Sequence, residues 1–367
     1  MFTRSDNKIT TTQTAVFLTD SVLGAGILTL PRSLTSVVQT PDAWITLLLG
    51  GSIVLMAVLV MVKLSQQFPS HTVYQYSKRI VGAIPAGFLC FLLIVYFVVI
   101  AGFEIRVMAE VTMFYLLEGT PVWAIIIPCI WVGTYLIFGG INSIARVFQI
   151  IFPVSIFILL LSYFLSIRIF DIEHLRPVLA EGILPVFKGL KSSILIFTGC
   201  EVMMTLVAHM QHPQRAVKAA LAGIGIPMLL YLLTVVLVIG GISVDGVLRS
   251  TWPTIDLLRS FEVAGLFFER FEFPFLVIWM MQLFCNFICF YFNASLGISQ
   301  VFNIKLPPVI FALMPLIFIT SMIPKHINEL FGLGDAIGMI GILMFILLPV
   351  LLSFIYLIRK KGLGHHV

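Results

Sequence analysis

The chain has 367 residues, 60% of them hydrophobic and only 11% charged, with a mean hydropathy of +1.09. A water-soluble globule cannot hide that much apolar surface, so the composition excludes a soluble domain and predicts a polytopic membrane protein. The net charge of +5 is scattered rather than gathered on one soluble face, which excludes a nucleic-acid footprint.

The polar start, with Arg4 and Lys8, is followed by no small-residue cleavage site, and no removable signal peptide is expected. In chain order the apolar segments predict ten spans, at about 12–34, 43–64, 85–117, 121–138, 144–167, 190–209, 219–242, 274–302, 308–323 and 335–358. Cys90, Cys129, Cys200, Cys285 and Cys289 all lie in them without CxxC or Cys/His spacing, and read as reduced packing residues. Neither a cofactor nor a metal is expected.

The first span carries Gly24, Ala25, Gly26 and Pro31 in its middle. Unpaired backbone groups are costly in a bilayer, so such an interruption calls for either tight helix packing or a binding site that uses the freed amides and carbonyls. A second interruption, Ile196-Phe-Thr-Gly-Cys-Glu201, opens the sixth span and favours the binding site. Five spans plus five, each half starting with a broken helix, is the pattern of inverted repeats: 12–167 and 190–358, joined by a connection at 168–189 and followed by a tail at 359–367. All belong to one transmembrane domain. The positive end of the second half-helix is expected to favour a carboxylate.

Basic residues orient the bundle. With the N-terminus inside, twelve Lys and Arg fall in inner segments against nine in outer ones, so both termini are expected in the cytoplasm. The connection between the halves and the segment from Trp252 to Arg270 then lie outside. Ile255, Leu258, Phe261 and Leu266 give the latter a helix with one apolar face, expected on the outer surface as either a solvent-capping loop helix or a lid or partner surface. His209, His212 and Arg215, beside Pro213, mark the inner end of the sixth span.

Each charge inside a span costs roughly 2.5–3.5 kcal/mol on insertion scales unless paired or wet. Arg106 and Glu110, four residues apart, share a helix face and are expected to pair. Glu104 and Glu201 have no partner close in sequence. Glu201 either holds free amides after the second break or binds a proton, and Asp20, one turn before Gly24, raises the same alternatives.

The ordered set Leu23–Arg32, Gly102–Glu110, Leu175–Gly182, Gly199-Cys-Glu201, Thr251–Thr254 and Phe268–Glu272 resembles the B subunit (GerAB type) of endospore nutrient-germinant receptors. That family is a branch of the amino acid–polyamine–organocation transporter superfamily. The resemblance covers nearly the whole chain. It implies an all-α, ten-helix LeuT-like fold in the spore inner membrane, binding a small nutrient, commonly an amino acid, and working with an A subunit and a lipoprotein C subunit. It also implies a ligand site between the two breaks, at Gly24, Ala25, Gly26, Ile100, Thr198, Gly199, Asn286 and Phe290. Gly24 and Gly199 are expected to present backbone to the ligand. An enzyme is not expected, since no HExxH, GxSxG or phosphate-binding glycine loop is present. The alternative function is a proton- or ion-coupled amino acid permease. The fifth span has no lysine, which removes one fixed charge that could substitute for a coupling cation.

Overall fold

In the computed structural model, which describes residues 7–260 and 272–363, the ten spans are all helical. The first is a bent pair, α1 (Thr11–Val22) and α2 (Gly26–Val38), turning by 52° at the glycines. Thr10 caps α1 in a reciprocal box with Gln13: Thr10 N–H donates to Gln13 Oε1 at 2.9 Å, and Gln13 N–H to Thr10 Oγ1 at 3.2 Å. After α3 (Ala43–Ser65) comes α4 (Val73–Val81), a short helix that the hydropathy pattern does not reveal. Then follow α5 (Ala83–Tyr115), α6 (Val122–Phe138) and α7 (Gly140–Ser166).

The sixth span is the second bent pair, α8 (Leu184–Leu195) and a short continuation over Cys200–His209 that contains α9 (Met203–Leu206); it turns by 49°. The second half continues with α10 (Ala216–Arg249), α11 (Pro253–Arg259), α12 (Glu272–Phe302) and α13 (Leu306–Met322). The last span joins α14 (Ile327–Ile342) to α15 (Leu348–Leu363) through a widened turn at Leu343–Leu347. Helix α10 bends where Ser243 takes a φ of 63°. Six helices are long and apolar enough to cross a bilayer singly, two more spans are the bent pairs, and α6 and α13 are shorter apolar helices, which together make ten among the described residues.

Of Ile255, Leu258, Phe261 and Leu266, the first two are buried on α11, and the other two lie outside the described residues. The apolar side of α11 therefore packs inward against α2 and α10.

Burial separates a central pillar from a lipid-facing rim. The apolar window of α12 is 72% buried, against 33% for α7 and for the last span. Large side chains such as Phe91, Trp131, Tyr135, Phe157, Phe164 and Phe354 are left on the outside, where lipid tails replace water as their solvent. Helix α12 packs along α5, and α1 lies between α7, α10 and α12.

At the end where α1 begins, residues 8–9 pair with the end of the sixth span. Ile9 N–H donates to His209 O at 2.8 Å, Gln211 N–H donates to Ile9 O at 2.9 Å, and Lys8 Nζ donates to Ala208 O at 2.8 Å. The ammonium thus satisfies a carbonyl that a helix end leaves free.

Candidate functional site

Breaking α1 from α2 frees carbonyls in an apolar interior, and side chains from the second half take them up one by one. Asn286 Nδ2 donates to Asp20 O at 3.0 Å and Ser21 O at 2.9 Å. Tyr231 Oη donates to Val22 O at 2.7 Å, and Gln282 Nε2 donates to Leu23 O at 3.2 Å and to Asp20 Oδ1 at 3.0 Å. The first break is thereby held open by α10 and α12 without an unsatisfied main-chain oxygen among these four.

Two acids serve the amides. Ala25 N–H, at the start of α2, donates to Glu104 Oε2 at 3.3 Å from α5. Gly199 N–H donates to Glu201 Oε2 at 2.9 Å, which is the local amide-holding role open to a carboxylate after the second break. Glu104 and Glu201 are therefore each bonded to a break, one to each. Arg106 and Glu110 form an ion pair at 2.7 Å, and Arg106 Nη1 also donates to Ser321 O at 3.2 Å, so this pair ties α5 to α13 away from the breaks.

A cavity of about 560 Å³ begins at the two breaks. Gly24, Ala25, Gly26, Ile100, Thr198 and Asn286 line its inner end, together with Glu104. It then runs along α2 and α8 toward the end of the bundle where α11 lies, past Arg32, Lys188 and Lys191, with Trp252 and Phe331 on its wall. No lining residue comes from the Cys200–His209 half of the sixth span. That half is buried, with Met203, Met204 and Leu206 fully enclosed.

Gly199 and Phe290 do not line the cavity. Gly199 has a φ of 109° and abuts the main chain of Ser21, while Phe290 is buried against Phe97. Asp20 and Glu201 are fully buried behind the cavity wall.

Sequence reasoning missed Gln282 and Tyr231 as supports of the break, and the three cations of the mouth. Gln282, Asn286 and Asn293 fall at spacings of four and seven in the eighth span, a polar stripe that could have singled out the first. Tyr231 carries no such signal, because the middle of its helix is a long apolar run. Among the described residues, no group of three or more His, Cys, Asp or Glu side chains is placed to hold a metal ion.

Comparison with known proteins identifies the family and the fold. The family described as "Spore germination protein" matches residues 8–330. "Spore germination protein YndE" of Bacillus subtilis (strain 168) is 48% identical over 356 residues, covering 97% of this chain and 98% of that one. "Spore germination protein A2" of the same organism is 37% identical, with 96% and 97% covered. Among solved structures, MhsT in complex with L-phenylalanine superposes with a TM-score of 0.71 at 11% identity, over 94% of this chain and 88% of that one, a likeness of fold. The chain belongs to the spore germination protein family and is an integral membrane protein with the ten-helix LeuT-like fold.

Proposed function

We propose that the protein is the nutrient-sensing B-type subunit of a spore germination receptor, and that its nutrient is an amino acid. The observation that carries this reading is the cavity at the meeting of the two helix breaks, lined by Gly24, Ala25, Gly26, Ile100, Thr198 and Asn286 and running toward the end of the bundle where α11 lies. Gly199 and Phe290 support it from behind. Five plus five spans, with a broken helix opening each half, support the division into two repeats at 12–167 and 190–358.

Occupancy of such a site changes the output only if the ligand binds one arrangement of the bundle better than another. A useful switch needs a coupling of about 1–3 kcal/mol. We assign the output to a conformational change passed to an A subunit and a lipoprotein C subunit in the spore inner membrane. Both termini lie on the cytoplasmic side. The protein carries out no catalytic step in this reading.

A proton- or ion-coupled permease is the second reading, favoured by the Na+-coupled sialic acid symporter and the nucleobase-cation-symport-1 family transporter among the solved structures that share the fold. Two assays separate the two. Spores lacking the gene are expected to lose response to particular amino acids, while purified protein in liposomes is expected to bind but not accumulate them. Accumulation in liposomes with unimpaired germination would leave the permease in its place.

A further inference from the structure

The start of a half-helix inside a membrane is where a ligand carboxylate would ordinarily settle, on free amides and at the positive end of the helix dipole. In this chain a carboxylate of its own already sits at that position of α2, because Ala25 N–H donates to Glu104 Oε2 at 3.3 Å. Glu104 is only 8% exposed, lines the cavity and has no partner for Oε1 among the described residues. One buried carboxylate oxygen is thus bonded to the break, and the other is unclaimed in the cavity wall. A second carboxylate brought to the same place would have to share the break with the Glu104 carboxyl and, with both ionised, would meet like charge at short range.

The mouth has the opposite character. Arg32, Lys188 and Lys191 line it with one acid, Asp335, and none of the four is in an ion pair among the described residues. Arg32 lies six residues beyond Gly26, roughly 9 Å further along α2 toward the mouth. Acid at the inner end and bases at the outer end make a gradient that a simple cation meets unfavourably at the entrance and a simple anion meets unfavourably at the bottom.

Resting on the amino acid site proposed above, we infer that the ligand is a zwitterion bound with its ammonium group inward, on Glu104 Oε1, and its carboxylate turned toward Arg32, Lys188 and Lys191. The orientation is the reverse of the one expected from the helix end alone. The reason is that this chain supplies its own carboxylate there. Glu104 becomes a specificity-determining residue, and the basic mouth sets the entry rate for ligands that carry a carboxylate.

The test uses full-length protein purified in detergent and the twenty common L-amino acids, ranked by thermal shift and titration. The tightest binder is then compared with the amine left by removing its carboxylate and with the acid left by removing its amino group. The amine is expected to bind, more weakly than the amino acid, and the acid not to bind. Glu104→Gln keeps an acceptor for Ala25 N–H but loses the charge, and should weaken amino acid and amine alike by about tenfold to a hundredfold, the loss of one charge-assisted hydrogen bond. Arg32→Gln combined with Lys191→Gln should slow association of the amino acid and leave the amine unaffected or faster. Binding of the acid as tightly as the amino acid, or unchanged affinity in Glu104→Gln, would overturn the orientation while leaving the site in place. Should Glu104→Gln fail to fold, the three wild-type titrations decide the matter. Absence of binding by every amino acid would remove the site itself.

Discussion

Ser21 and Gly199 lock the two broken helices together: Ser21 Oγ donates to Gly199 O at 3.1 Å, and a Cβ on Gly199 would stand 1.8 Å from the carbonyl oxygen of Ser21. Gly199 also has a φ of 109°, a conformation that L side chains rarely adopt. Two independent constraints, one of backbone dihedral and one of contact, therefore require glycine here.

Gly24 is constrained differently. A Cβ there would come within 2.8 Å of the Asn286 side chain, which can shift, but only by giving up the bonds to Asp20 O and Ser21 O. Gly199→Ala is expected to keep the protein from accumulating, because the left-handed φ alone costs an L residue about 1–2 kcal/mol and the main-chain clash adds to that. Gly24→Ala is expected to reach the membrane with a lower thermal midpoint and impaired nutrient response. Immunoblots of membrane fractions and germination assays check both. Equal abundance and response in the two variants would contradict the distinction.

The Arg106–Glu110 pair gives a second prediction. Arg106 is almost wholly enclosed, with 5% of its side chain exposed against 20% for Glu110. Removing one member leaves the other uncompensated, at about 3–5 kcal/mol for a buried pair. Glu110→Gln and Arg106→Met should each lower the unfolding temperature, and the double variant should recover part of the loss. A double variant worse than either single one would show that the pair does not act as a unit.

Glu201 is expected to act through Gly199. Its Oε2 accepts the Gly199 amide at 2.9 Å, and its Oε1 is buried without a hydrogen-bond partner among the described residues. Glu201→Gln keeps an acceptor oxygen for the amide and should retain most of the response, while Glu201→Ala leaves the amide unsatisfied and should lose it. If both variants bind nutrient normally and neither germinates, the carboxyl is being used as a proton carrier instead.

Membrane orientation is open to direct labelling. A cysteine at Glu173, in the exposed connection between the halves, should react with an impermeant thiol reagent applied outside, and one at Lys78 on α4 should not. Among the native cysteines only Cys129 is part-exposed and the other four are buried, so background labelling should be low. Glu262 and Lys361, the other positions suited to such a test by charge, lie outside the described part of the chain or have undescribed side chains. Labelling of Lys78→Cys alone would invert the orientation.

What the sequence determined by itself is the membrane class, the ten spans and the two interruptions. Hydropathy and the placement of glycine and proline are local properties, and a bilayer punishes any other use of such segments. The pairing of Arg106 with Glu110 was legible for the same reason, since a spacing of four is fixed by one helix. The family, too, is carried by local residue strings such as Leu23–Arg32.

Only the tertiary structure decided which groups answer the freed main chain. Asn286 meets Asp20 and Ser21 across more than 260 positions, Tyr231 meets Val22 across 209, and Glu104 meets Ala25 across 79. No periodicity along one helix encodes these meetings, because they depend on how five helices cross. The same packing took Gly199 out of the cavity wall and put Glu104 into it. Charge counts yield an expected orientation, but the acid at the bottom of the cavity and the bases at its mouth exist only once α2, α5 and α8 enclose a common space.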